Sequence, residues 1–362
     1  DRRQRQMCIR DRLTGAFIAT RSIDVSEGCP GHGSYHSRSH CQVQRVSAMC
    51  YSAEIWADYH LYVEEFGADI DIKEFVKLYL GRQDSFKWKI PKGMDRAFDK
   101  PKSDLEKQIH GLIEDYNKSL ISESEQNMFA QKKRLADAER KLAVKETKTA
   151  LNEQRIAGNK IKQYKRWIED AKRTELDVEK DDRIWPDSYA PVLIVENGKK
   201  IVRPMRYHCR PAGHSPSIDR TKDGKVSGTY NARRDNLTRF WKKQFGYTHG
   251  LMVASQFYEM VERDGVTKEV QFNPSTHEPM FIACLWSHWV DPTGKEPDLY
   301  SFAAITDDPE PEVAEAGHDR TVINIKPEHV DAWLNPDPKN LDAMQAILDD
   351  KQHPFYEHRL AA

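Results

Sequence analysis

Residues 191–202 read Pro191-Val192-Leu193-Ile194-Val195-Glu196-Asn197-Gly198-Lys199-Lys200-Ile201-Val202, two apolar runs parted by a polar break. Asn-Gly supplies the positive φ that a tight hairpin turn demands, so the stretch predicts a β-hairpin. Working outward toward the C-terminus, short apolar runs predict further strands at 249–258, 268–272, 279–286, 299–306 and 320–325. Asp264-Gly265 offers a turn between the first two of these. A helix over 234–244 and another over 327–334, with Pro327 in its first turn, complete this half. Toward the N-terminus the pattern changes period. Leu105, Ile109, Leu112, Ile113 and Tyr116 recur at helical spacing, as do Leu135, Ala138 and Leu142, so about 101–175 reads as a long helical insertion. Ser119 to Ser124 is the expected break between its two arms. Residues 56–97 mix short helical runs with turns, and Cys50 to Ile55 begins a strand. The fold class is α+β: a single β-rich domain of mixed and antiparallel strands, interrupted by a hairpin or coiled-coil-like insertion.

The 362 residues suffice for one large domain with a real core. Charged residues make up 31% and the mean hydropathy is −0.78, wetter than an average domain, and the insertion accounts for much of this. With 56 basic against 57 acidic residues, global charge is silent about nucleic acid, and a DNA-binding surface must be a local patch. No run of 18 apolar residues or apolar signal core is present, which predicts a cytoplasmic protein without a membrane partner. The six cysteines show no zinc-ligand spacing, so no metal and no small-molecule cofactor is expected.

Residues 1–48 have neither structural period, and Met7-Cys8-Ile9-Arg10-Asp11-Arg12 resembles the translation of a sequencing adapter. They are read as a disordered or artefactual extension, with the domain running over 49–345 and 346–362 forming a C-terminal tail. Met49 then becomes the start and Cys50 the second residue.

Four short features stand out: Met49-Cys50, Tyr230-Asn231-Ala232-Arg233, Phe257-Tyr258-Glu259 and His318-Asp319-Arg320. Each alone is weak, since a lone His or Glu is more often structural than catalytic. In this order, they resemble the SOS-response-associated peptidase (SRAP) family. The intervening text matches too: Ala283-Cys284-Leu285-Trp286-Ser287-His288-Trp289, Asp291 to Gly294, Ser301 to Thr306, and the helix ending Asp331-Ala332-Trp333-Leu334. The resemblance covers 49–65 and about 188–345, but not the insertion. The departures are Tyr51-Ser52 where the family often has Gly-Arg, Arg206 to Arg210 in place of Trp-Gly-Leu, and Arg234-Asp235 after Asn-Ala-Arg.

The resemblance implies a protein of the DNA-damage response that cross-links to abasic sites in single-stranded DNA through an N-terminal cysteine. A 1,2-aminothiol at Cys50 can close a five-membered thiazolidine ring on the ring-opened sugar aldehyde, provided its α-amine is free. The resemblance makes Glu259 the acid/base carboxylate, His318 the group that assists sugar ring opening or imine reversal, and Asn231 the group that orients amine or sugar. Arg233 and Arg320 would hold flanking phosphates, with a structural salt bridge as the bland alternative for both. The same imine chemistry is compatible with a weak lyase activity.

The DNA partner would be bound without regard to sequence, nucleoid-associated in the cell, through a basic concentration that includes Arg203, Arg206, Arg210, Arg234, Arg239, Lys242 and Lys243. Tyr207, Phe240 and Trp241 lie among these, and at most one of them is expected to stack on a base. The rival reading is a thiol (auto)peptidase with Cys50 as nucleophile and His318 beside it, and only the need for a free amine separates the two. The residues themselves do not identify a partner for the insertion.

Overall fold

The computed structural model describes residues 52–83, 88–263 and 265–361. Cys50 and the whole 1–48 extension lie outside the described residues.

The chain opens with β1 (Ser52–Ile55), α1 (Tyr59–Phe66), β2 (Asp69–Ile70), α2 (Ile72–Gln83) and α3 (Lys92–Arg96). Two long helices follow, α4 (Asp104–Val144) and α5 (Lys148–Lys172), then α6 (Val178–Asp181) and β3 (Arg183–Ile184). The expected hairpin is present as β4 (Tyr189–Glu196) and β5 (Lys199–Tyr207). Asn197 and Gly198 both take positive φ, 53° and 72°, the primed turn that matches the twist of paired strands. The remaining strands are β6 (Asn231–Arg233), β7 (His249–Arg263), β8 (Val266–Pro274), β9 (Met280–Trp289) and β10 (Leu299–Asp307). They are followed by α7 (Pro311–Ala316), β11 (Thr321–Val322), α8 (Val330–Leu334), α9 (Leu341–Asp349) and β12 (Tyr356–Leu360). The architecture is α+β with a β-rich body and a helical excursion, as the sequence implied.

The pairings close on themselves. β5 pairs β4, β4 pairs β7, β7 pairs β9, β9 pairs β10, and β10 returns to β5 in parallel register. Closure leaves this ring without an open edge, and inward residues of all five strands fill its interior. Leu193, Val202, Leu251 and Val253 share one face by register and are fully buried, and Val192, Ile282 and Phe302 are fully buried on the other. β8 and β12 extend the sheet from β7, where Phe257 and Phe272 stack with centroids 5.0 Å apart.

The insertion is tied to this body at its base. Ser103 caps α4 in a reciprocal box with Glu106, and Ile109 and Ile113 on the first turns join the main core. At the far end of α5, Lys92 donates to the carbonyls of Asp170 and Arg173, and Arg173 pairs with the buried Asp181. Between these anchors the two helices meet through small residues, Ala138, Ala150 and Ala157, and through Arg134, which forks onto Glu153 at 3.0 and 3.2 Å.

Three expectations need correction. The break falls at 145–147, where Thr147 caps α5, and α4 runs straight through Ser119–Ser124. Ser124 is buried, and a small side chain inside a helix permits close packing rather than ending the helix. The helix over 234–244 is a short 3-10 turn at Arg234–Asn236 followed by irregular turns. Leu237, Trp241 and Phe245 are buried at its four-residue spacing all the same, held by mixed bonds such as Trp241 N to Asn236 O at 3.3 Å. Residues 346–362 are no tail, since they finish α9 and then form β12, paired to β8 from Tyr356↔Pro274 to Leu360↔Val270.

Candidate functional site

Glu259 lies on β7, fully buried, with its neighbour Tyr258 paired to Ser52, the first described residue of β1. His318 follows α7. That helix stops at Gly317, whose φ of 102° is open to glycine and strained for other residues, and the reversal aims the histidine back at β7. Two clamps hold α7 in place. Arg263 at the end of β7 donates to the C-terminal carbonyl of Ala316 at 3.0 and 3.3 Å, and Glu312 accepts from Tyr356 N at 2.8 Å and meets His353 Nε2 at 3.0 Å. The C-terminal strand therefore takes part in building the site.

The result is a buried contact of 3.2 Å between His318 Nε2 and Glu259 Oε2. On its other side His318 Nδ1 lies 2.9 Å from the carbonyl oxygen of Arg320. A carbonyl only accepts, so Nδ1 carries the proton of that contact and Nε2 is the nitrogen that faces the carboxylate. An imidazole set against a carboxylate out of bulk water has the groups to donate and to accept a proton, which is what addition and dehydration steps at a carbonyl require.

Asn231 and Arg233 sit on β6, whose three residues pair in parallel with Ala304 to Thr306 of β10. Asn231 is buried, and its amide oxygen accepts from Tyr207 Oη at 3.3 Å. Thr306 pairs with Arg233 on one side and Val322 on the other, so the backbones of β6 and the segment after His318 are about 10 Å apart. Arg233 is exposed and forks onto Asp235, both contacts at 3.0 Å. Arg320 is buried, and its carbonyl orients His318.

The basic concentration is largely neutralised within the fold. Arg206 is held by Asp219 at 2.8 Å, Arg210 by Asp219 and Glu296, Arg203 by Asp71 and Glu196, and Arg234 by Asp307 and Asp349. Arg206 and Arg234 are therefore braces between elements, which corrects their placement on a DNA-facing surface. What remains exposed is Arg233, Arg239, Lys242 and Lys243. Of the three aromatics, Tyr207 and Trp241 are core residues and Phe240 is 42% exposed.

Sequence reading missed Arg183. Its guanidinium donates to Ser52 Oγ at 2.8 Å and lies 3.6 Å above the Tyr258 ring, so it braces the start of β1 against the Phe-Tyr-Glu stretch. No local signal marks it, because the contact spans 131 residues of chain. On the face of β7 opposite Glu259, a cleft of about 440 Å³ is lined by polar groups that include Glu54, Gln256, Gln271 and Asn273. The thiols of Cys209 and Cys284 are buried and pushed up by that burial, Cys209 to about 12, which leaves both inert as nucleophiles. Among the described residues no group of three His, Cys, Asp or Glu is placed to hold a metal ion, and no helix is long and apolar enough to cross a membrane.

A family model described as SOS response associated peptidase (SRAP) matches residues 142–360. Among solved structures, a protein from Bordetella bronchiseptica is 17% identical over 52% of this chain and 90% of that one, with a TM-score of 0.42. A protein from Bacteroides thetaiotaomicron is 14% identical over 50% of this chain and 77% of its own, with a TM-score of 0.39. A phage-related protein from Bordetella bronchiseptica is 17% identical over 49% and 80%, with a TM-score of 0.38. No curated protein matches the chain.

Proposed function

We propose, from the premise that this chain belongs to the SOS response associated peptidase (SRAP) family, that it captures abasic sites in single-stranded DNA as a covalent adduct on Cys50. The observation that carries this reading is the buried contact between Glu259 and His318, 3.2 Å apart and one residue along β7 from the partner of Ser52. In the sequence Cys50 precedes Ser52 by two residues.

With a free α-amine on Cys50, the nitrogen adds to the sugar aldehyde and water leaves to give an imine. The thiol then adds to the imine carbon, its proton passes to the nitrogen, and a thiazolidine results. The Glu259–His318 pair supplies the proton transfers of addition and dehydration. Asn231, held by Tyr207, orients the amine or the sugar. Phosphates fall to Arg233, supported by the exposed Arg239, Lys242 and Lys243, with Phe240 as the stacking ring. Arg320 acts through its carbonyl on His318.

The test is intact-mass analysis after mixing with abasic single-stranded DNA. Protein beginning at Cys50 forms a heat-stable adduct, whereas the chain that retains residues 1–49 forms none, because its Cys50 nitrogen is an amide. Cys50→Ala leaves at most a reversible imine that borohydride traps. An undiminished stable adduct on the alanine variant, or on a chain that keeps residues 1–49, rules the thiazolidine out.

A further inference from the structure

Away from Glu259 and His318, three side chains distant in sequence meet in one hydrogen-bonded line. His208, just past β5, is fully buried, with Nδ1 2.7 Å from Asp187 Oδ1 and Nε2 3.0 Å from Ser227 Oγ. Each member is fixed through its own backbone. His208 N donates to Phe302 O at 3.0 Å, Asp187 N to Tyr207 O at 2.8 Å, and Ser227 N to Asp219 O at 3.1 Å. Ser227 is half-buried and stands at the foot of a small loop closed by the bridge Arg220↔Val226.

Two further observations set this line apart from an ordinary buried histidine. Asp187 and His208 have φ of 74° and 152°, in a region that residues with side chains rarely adopt. Asp187 lies in the short connection between β3 and β4 and His208 directly after β5, and among the described residues the other non-glycine residues with positive φ are Asn197 and His277. Backbone strain here is kept at a pair of bonded polar groups, where it persists only if the surroundings over-determine it. Burial alone would raise the Asp187 carboxyl, but hydrogen bonds from His208 and from Arg220 at 2.8 Å hold it well below the usual carboxylate range. An ionised carboxylate only accepts, so it fixes the proton on Nδ1 and turns the Nε2 lone pair toward the serine hydroxyl. Thr229 Oγ1, 3.2 Å from Ser227 Oγ, is the other polar neighbour of that hydroxyl.

We propose that Ser227, His208 and Asp187 form a second, nucleophilic site that hydrolyses short carboxylic esters. Ser227 Oγ adds to the ester carbonyl while its proton moves to His208 Nε2. The carbon–oxygen bond of the ester breaks, the departing alkoxide takes that proton, and an acyl-serine remains. Water then attacks the acyl group with His208 again accepting the proton, and acid and free serine are released. Asp187 stays ionised throughout. Small acyl groups suit the site because the half-buried Ser227 stands on a loop beside the exposed Val226.

The experiment treats the whole chain with a fluorophosphonate probe and maps the modified peptide, beside hydrolysis of 4-nitrophenyl acetate. Modification at Ser227 is expected, lost in Ser227→Ala and slowed by about 10²-fold or more in His208→Gln and Asp187→Asn. Ser227→Ala keeps its melting curve and, in protein beginning at Cys50, its adduct with abasic DNA. Folded wild-type protein that stays unmodified at Ser227, or ester hydrolysis unchanged in Ser227→Ala, overturns the proposal and marks the line as purely structural. Neither result bears on Cys50, whose own alanine variant retains the Ser227 labelling.

Discussion

In the β-rich body, Phe257, Phe272, Ile282 and Phe302 are each almost wholly buried, whereas α5, twenty-five residues long, buries only Ala150 and Ala157. The barrel gains from every inward side chain and from the absence of an edge, so its parts stand or fall together. The α4–α5 hairpin is held instead by caps, by one alanine seam, and by exposed ion pairs that solvent screens. Chemistry follows the same division. Glu259 and His318 are locked where packing over-determines them, while the hairpin presents a solvated surface with isolated apolar residues such as Phe129, 75% exposed. A precise site needs the first kind of region, and a spacer or docking arm can be made from the second.

The largest effect expected from this contrast is on stability. Phe272→Ala should lose about 3–5 kcal/mol in denaturant unfolding, because it leaves a hole beside Phe257. Phe129→Ala should change stability by no more than about 0.5 kcal/mol. Similar losses from both would mean that the hairpin folds as part of the barrel's cooperative unit.

The next effect is on chemistry. Glu259→Gln keeps shape but removes the titrating carboxyl, so adduct formation and its reversal should slow by about 10²-fold or more, and His318→Ala should impair the same steps. Replacing 126–163 by a short turn spares Ile109, Ile113 and the anchors at Asp170 and Arg173, and adduct formation should proceed at the unaltered rate. A folded shortened chain that no longer cross-links would put the hairpin in the DNA site.

The smallest effect is a pH dependence confined to the body. Burial first, then the charges of Glu54, Asp181 and Asp58, raise the Asp182 carboxyl to about 7. The folded state therefore keeps a proton that the unfolded chain releases above its ordinary value of 3.8. This contribution to stability is full at acid pH and declines as pH rises toward 7. Melting curves of Asp182→Asn should be flatter than wild type over that window, and shortening the hairpin should leave the wild-type slope intact. An identical slope in the asparagine variant would show that this carboxyl does not titrate with folding.

Local chemistry in the sequence was enough for the β4–β5 hairpin, since Asn197-Gly198 admits few other turns, and for the helical character of 101–175, whose period repeats over many turns. The motifs around Asn231, Glu259 and His318 were legible as a resemblance before any geometry was known. Tertiary structure alone decided the rest. Leu237, Trp241 and Phe245 share a helix-like spacing, yet succession of turns buries them equally well, so period did not settle backbone shape there. Arginines at 206 and 234 looked like a basic patch because their partners, Asp219, Asp307 and Asp349, lie 13 to 115 residues away. The line from Asp187 through His208 to Ser227 left no local sign for the same reason. Each of those residues is ordinary in its own neighbourhood, and only the closure of β10 against β5, together with the loop that ends at Val226, brings the three within hydrogen-bonding distance.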